Sequence, residues 1–133
     1  SGYLLNNYGG GLKSFINDFM KKYQNADKDV LEKFRNKIIE TFKKVNSVFG
    51  HKGLLNPSTK SSQINKALSD CILLSFELTT LEKLNNKKIN IVNFKNTLLN
   101  DKNFIQAISK RTSDHSSIKI RLNKWFKGFK KCL

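Results

Sequence analysis

The chain has 133 residues, of which 38% are apolar and 26% are charged, so it fits one folded domain and leaves little room for a second. Ten Phe, three Tyr and one Trp argue against a wholly disordered chain, and no apolar run approaches the roughly 20 residues of a membrane span. The net charge of +15 favours a polyanionic partner such as nucleic acid or an acidic membrane face.

Three helices are predicted in the first two-thirds of the chain, after a flexible leader over residues 1–11. The first begins at Leu12, where apolar residues start to recur at spacings of three and four. The second covers about residues 29–49, and Gly50 ends it. The third covers about residues 62–84, and its wide apolar face predicts the most buried helix.

Three further helices are predicted in the rest of the chain, after a turn over residues 85–88. A short helix covers about residues 90–99, and Asp101 caps a second short helix. The cluster at residues 112–114 caps the last helix. The side chains of that helix predicted to point inward are Ile118, Leu122, Trp125, Phe126 and Phe129. No strand-like alternation stands out, so we expect an all-α, single-domain bundle of about six helices over residues 12–133.

The positive charge is concentrated in two segments, residues 33–60 with a net charge of +6 and residues 110–133 with +7. Lys accounts for 22 of the 25 basic residues, as an AT-rich genome would encode, so a solvated basic surface is the alternative to a polyanion site. If the two segments lie side by side, they form one patch that contacts DNA phosphates without base specificity. The candidate DNA-binding residues are Lys43 and Lys44 in the first segment and Lys110, Arg111, Lys119, Arg121, Lys124, Lys127, Lys130 and Lys131 in the second.

No strong catalytic or metal-binding constellation is present. His51 and His115 belong to no Cys/His cluster, and no Gly-rich phosphate loop occurs. We therefore expect no metal, no cofactor and no enzyme activity. Cys71 is predicted to be a buried free thiol and Cys132 to be exposed, which is typical of a reducing, cytoplasmic compartment.

Two alternatives to DNA binding remain open. One is a stand-alone helical protein-interaction module, in which the charge has no functional role. The other is a small all-α ribonuclease of the kind found in bacterial defence systems, which would use Arg111 and His115. Those ribonucleases place more residues between the Arg and the His than the three found here.

A series of short strings occurs in a recognisable order along residues 12–127. The strings are Phe-Ile-Asn-Asp-Phe-Met at 15–20, Val-Phe-Gly at 48–50, Ile-Asn-Lys-Ala-Leu-Ser-Asp at 64–70, Asn-Phe-Ile-Gln-Ala-Ile-Ser at 103–109, Thr-Ser at 112–113 and Ile-Lys-Ile-Arg-Leu at 118–122. This order resembles the helical C-terminal part of the family named after the N-terminal domain of GmrSD restriction endonucleases.

The resemblance implies a role in bacterial restriction of modified or phage DNA. Members of that family begin with a ParB-like nucleotide-hydrolysing domain that carries an Asp-Gly-Gln-Gln-Arg motif, and this motif is absent here. Because Met20 is the only Met and the chain opens Ser-Gly-Tyr, we expect the C-terminal fragment of a longer protein. The resemblance implies that its partner is the N-terminal nucleotide-hydrolysing domain of the same protein. In the matching strings most residues are predicted to pack, and Arg121 either pairs with a carboxylate or reaches a phosphate.

Overall fold

The computed structural model describes residues 17, 18, 20–22, 24, 25, 27–60 and 63–133. Within these residues no strand occurs, and the predicted all-α class is confirmed. The helices are α1 Lys28–Phe49, α2 Lys66–Glu77, α3 Leu81–Asn86, α4 Lys88–Leu98, α5 Lys102–Ser109 and α6 His115–Cys132. The predicted leader and the predicted start of the first helix at Leu12 lie outside the described residues, while positions 17, 18 and 20–22 are helical.

Helix α1 begins and ends at the residues that its sequence indicates. The Asp27 side chain accepts a hydrogen bond from the backbone N–H of Asp29 at 2.8 Å, which caps the first turn. After Phe49 the chain turns at Gly50, whose φ of 77° is in the left-handed region that favours glycine. Its N–H donates to Asn46 O at 3.0 Å, so the last turn of the helix is closed.

The third predicted helix, over residues 62–84, is wrong as a single element, because the chain breaks between α2 and α3. The Thr79 hydroxyl donates to Ser75 O at 2.9 Å, and the Thr80 hydroxyl accepts from Lys83 N at 3.2 Å, which caps a new helix. Such side-chain bonds to the backbone compete with a continuous helix. As a result Leu78, which the helical pattern places on the buried face, is 83% exposed.

The link between α3 and α4 is shorter than the turn predicted over residues 85–88. Only Lys87 separates the two helices. Its N–H donates to Lys83 O at 3.2 Å, and its carbonyl accepts from Ile91 N at 3.0 Å. Helical hydrogen bonding therefore continues on both sides of Lys87, and the two helices are joined without a loop.

The starts of α5 and α6 agree with the predicted caps in position but differ in bonding. The Asp101 side chain accepts from Asn103 N at 2.9 Å and from Phe104 N at 3.1 Å, so it caps α5 as predicted. Asp114 is the N-cap residue of α6, but its side chain makes no capping hydrogen bond. The first turn of α6 is thus left without the side-chain cap that the 112–114 cluster predicts.

The core lies where α2 is enclosed by its neighbours. Helix α2 packs against α1, α5 and α6, while α4 packs against α1, α3 and α6. A line of aromatic rings crosses this core from α1 to α4, with centroid separations of 5.1–6.2 Å, and its members are Phe49, Phe76, Phe129, Trp125 and Phe94. Rings at these distances add a specific contribution to the burial of apolar area.

The inward face of α6 is narrower than predicted. Trp125 and Phe129 are buried, and Ile118 and Leu122 are half-buried. The prediction that Phe126 points inward is wrong, because this residue is 36% exposed. At about 100° per residue, Phe126 is turned well away from the direction of Trp125 and Phe129.

Gly128 on α6 lies where α6 approaches α4 most closely. A Cβ added at this position would overlap the ring of Phe94. We expect Gly128→Ala to lower the free energy of unfolding by about 1–3 kcal/mol, since overpacking outweighs the better helix propensity of Ala. Urea denaturation measures the change, with the exposed Asn123→Ala as a control on the same helix. A Gly128→Ala protein as stable as the wild type would contradict the close approach.

Candidate functional site

Four lysines form the outer surface of α6, and we call them the α6 lysine face. They are Lys119, Lys127, Lys130 and Lys131, all exposed. At about 100° and 1.5 Å per residue, they cover roughly a third of the helix circumference and about 18 Å of its length. Helix α6 contains no acidic residue, so no carboxylate on the same helix neutralises this face.

Lys110 and Arg111 lie in the link between α5 and α6, and both are exposed. Arg111 has a φ of 46° and is the one non-glycine residue with positive φ among those described. Its carbonyl accepts from Asp114 N at 3.0 Å, which closes the turn. These residues line a surface groove of about 460 Å³, which also includes Ser116 but to which His115 does not contribute. The link therefore extends the basic surface beyond the start of α6.

Lys124 is also basic, but it is engaged inside the protein. Its Nζ lies 2.9 Å from Asp101 Oδ2 and holds α6 to the N-terminal cap of α5. The hydrogen bond from Lys124, followed by the one from Phe104 N–H, lowers the pKa of the Asp101 carboxyl. The ammonium of Lys124 is thus partly neutralised, in contrast to the α6 lysine face.

Arg121 is not at the surface, which corrects its inclusion among the DNA contacts. It is 5% exposed, and its Nη1 donates to Ala107 O at 3.2 Å and to Thr112 O at 2.5 Å. Nη2 lies 3.9 Å from Asp70 Oδ2, and Nε has no partner within the described structure. Of the two alternatives predicted for Arg121, the structure therefore shows a guanidinium that contacts the carboxylate and carbonyls of the fold.

Three of the six short strings, those at 64–70, 103–109 and 118–122, meet around this arginine. Asn65, in the string at 64–70, caps α2 by accepting from Leu68 N at 2.8 Å and donates to Ile108 O at 2.9 Å. The string at 103–109 is α5, and the string at 118–122 carries Arg121. These strings therefore build one corner of the fold, where α2, α5 and α6 join.

The basic segment of α1 does not extend the α6 lysine face by direct packing. Lys43 is exposed, but α2 and α4 lie between α1 and α6. Lys44 Nζ donates to Phe76 O at 3.2 Å and to Glu77 O at 3.5 Å. Because these carbonyls end α2, Lys44 stabilises the negative end of that helix dipole.

Lys95 is a functional candidate that the sequence analysis missed. It is 8% exposed, and its Nζ donates to Gly53 O at 2.5 Å and lies 4.3 Å from the centroid of the Phe49 ring. Burial lowers the pKa of Lys95 to about 8. One signal for it exists in the sequence, because Lys95 occupies an apolar position in the helical stripe that Ile91 and Leu98 define.

The two cysteines are free. Cys71 is buried, as predicted, and desolvation raises the pKa of its thiol to about 12. Cys132 is half-buried rather than exposed, with Sγ 3.4 Å from Gly128 O. Neither thiol belongs to a cluster of His, Cys, Asp or Glu side chains that could hold a metal ion in the part of the chain the structure describes.

Three comparisons with known proteins found no match for the sequence or the fold. The sequence matches no protein-family model and no curated protein, and the structure matches no solved structure. None of the described helices has the length and apolar character needed to cross a membrane.

Proposed function

We propose that this chain is a non-catalytic helical domain that binds DNA through its phosphates, using the α6 lysine face. The observation that carries the proposal is the set of four exposed lysines on a helix without acidic residues. None of the four takes part in an ion pair among the described residues, whereas Lys124 and Arg121 do. Each free ammonium can displace a counterion from a phosphate and so contribute to affinity.

The chemistry of the α6 lysine face favours contact with DNA that does not depend on the base sequence. Lysine is a point charge on a flexible stem, whereas base recognition favours the planar fork of arginine. Two of the three aromatic side chains of α6, Trp125 and Phe129, are buried and cannot stack on a base, whereas Phe126 is 36% exposed. We therefore expect affinity for duplex DNA with little preference among base sequences.

The biological setting that we propose is a bacterial restriction or phage-defence protein of the GmrSD type. The support is the ordered set of strings, together with the way in which α2, α5 and α6 bring three of them, at 64–70, 103–109 and 118–122, to one corner around Arg121. In such a protein this domain would pack on a nucleotide-hydrolysing domain in the bacterial cytoplasm and hold DNA for it. A gene that encodes the Asp-Gly-Gln-Gln-Arg motif upstream of this sequence would support that setting.

The DNA-binding proposal predicts a change in salt dependence when the face is neutralised. In a protein with Lys119→Gln, Lys127→Gln and Lys130→Gln, the slope of log affinity against log salt should fall in magnitude by about 2.7. Each lost phosphate contact removes roughly 0.9 from the slope. Fluorescence anisotropy with a labelled DNA duplex, titrated with salt, measures both affinity and slope.

A matched control separates the α6 lysine face from net charge. The exposed lysines Lys28, Lys33 and Lys83 lie on α1 and α3, and changing all three to Gln removes the same charge. We expect this control to keep the wild-type slope. Equal losses in both triple variants would contradict a localised interface. Absence of wild-type binding at low salt would favour the protein-interaction module instead.

A further inference from the structure

A second groove lies between the loop over residues 50–60 and the end of α4, on elements other than α6. Its volume is about 270 Å³. The polar part of its wall includes Lys52, Thr59, Lys95 and Asn96, and Leu55 and Leu99 are among its apolar residues. No acidic side chain lines the groove, so its electrostatic character is positive.

Lys95 lines this groove, and its ammonium is a buried cation next to it. Its ammonium has three donor hydrogens, and the contacts described above engage Gly53 O and the face of the Phe49 ring. No carboxylate pairs with Lys95 within the described chain. A cation this deeply buried is normally compensated by an anion, because a neutral carbonyl and a ring do not replace its hydration.

We propose that this groove binds a phosphate monoester, with Lys95 and Lys52 as the cationic contacts. A phosphate monoester is close to a dianion at pH 7.5, so it matches two ammonium groups better than a carboxylate does. Leu55 and Leu99 offer an apolar surface to the organic part of the ester. Phosphate monoesters occur on small metabolites and on the 5′ ends of nucleic acids, and both sources present the same group to the site.

The protonation state of Lys95 makes binding depend on pH. The pKa of Lys95 is about 8, and burial is the cause of that shift, with no contribution from a charged group of α1, α3 or α6. Lys52 is the other charged side chain in the groove wall. Lys95 is protonated below its pKa, so affinity for phosphate should fall as pH rises from 7.5 to 9.

The test is a titration with inorganic phosphate at constant ionic strength, followed by NMR of the lysine side chains. Lys95→Met keeps the stem of the side chain and removes its charge, and we expect it to weaken phosphate binding about tenfold or more. Lys52→Met should weaken binding less, because Lys52 is exposed. The control Lys83→Met, on exposed α3, should bind as the wild type does. Equal binding by the wild type and Lys95→Met would overturn the proposal.

A measurement on the wild type keeps the proposal testable even if Lys95→Met does not fold. Saturating phosphate should raise the pKa of the Lys95 ammonium, because the bound anion favours its charged form. An unchanged Lys95 titration in saturating phosphate would overturn the proposal. So would the absence of any phosphate-dependent shift in its resonances.

The source of the phosphate is distinguished in a protein that already carries the three α6 substitutions to Gln. Tighter binding of a 5′-phosphorylated oligonucleotide than of its 5′-hydroxyl counterpart, lost in Lys95→Met, would assign the site to nucleic-acid ends. Binding of inorganic phosphate and of a nucleoside monophosphate without that preference would assign it to a small phosphate ester. Because three of the four lysines of the α6 lysine face are Gln in every protein compared, failure of the DNA-binding proposal leaves this result unaffected.

Discussion

Trp125→Ala should lower the free energy of unfolding by about 4 kcal/mol, the largest loss that we expect from a single substitution. Trp125 is completely buried. Its ring lies 5.1 Å from that of Phe94 and 6.2 Å from that of Phe129, and its Nε1 donates to Ser75 Oγ at 2.9 Å. Truncation leaves a cavity at the junction of α2, α4 and α6, and the neighbouring rings can only partly fill it.

Urea denaturation followed by far-ultraviolet circular dichroism measures this loss. The control is Phe126→Ala, one residue further along α6, whose side chain is 36% exposed. We expect the control to cost about 1–2 kcal/mol, because about a third of that residue already contacts water. Similar losses at the two positions would show that the assigned rotation of α6 is incorrect.

Arg121→Met should lower the free energy of unfolding by about 3 kcal/mol while leaving the salt slope of DNA binding unchanged. Met retains most of the apolar stem but removes the donors to Ala107 O and Thr112 O. Carbonyls that lose a charged donor in a buried site each cost roughly 1–3 kcal/mol. The contact between Lys124 on α6 and Asp101 at the start of α5 stays intact in this variant.

Two control variants separate the loss of the carbonyl contacts from the loss of the Asp70 contact and from the loss of a positive charge. Asp70→Asn should cost less than about 1 kcal/mol, because the Asp70 side chain is 59% exposed and its oxygen is 3.9 Å from Arg121. Arg111→Met removes the same charge from an exposed arginine and should leave stability nearly unchanged. A stable Arg121→Met protein with a reduced salt slope would return Arg121 to the DNA interface.

The sequence predicts helix ends well where one residue decides them. Asp101 caps α5 by accepting hydrogen bonds from the N–H groups of Asn103 and Phe104, and Gly50 ends α1 because it adopts positive φ. Both effects are local, so composition and spacing are sufficient. The break at Thr79 and Thr80 is harder to predict, because the apolar pattern runs through it. Whether the helix ends there depends on the hydrogen bonds of the Thr79 and Thr80 hydroxyls, and these form together with the packing of α3.

Helical periodicity predicts the exposed part of the candidate sites but not the partners of their buried charges. The exposed lysines of α6 follow from helical periodicity, because they lie opposite Trp125 and Phe129. Lys95 and Arg121 break the same periodicity, since both occupy positions where apolar residues are expected. Periodicity can thus indicate that their charges are buried. It cannot indicate that Gly53 O and Thr112 O will accept their hydrogen bonds, because those carbonyls lie outside the helices that carry Lys95 and Arg121.

The position of Trp125 makes it a natural optical probe of part of the molecule. It is the only Trp in the chain, and it lies where α2, α4 and α6 meet. Its emission should therefore report separation of these three helices, and an early fraying of the first turns of α1 should leave it unchanged. Comparing tryptophan fluorescence with circular dichroism along one urea titration would reveal whether α1 and the rest of the bundle unfold together.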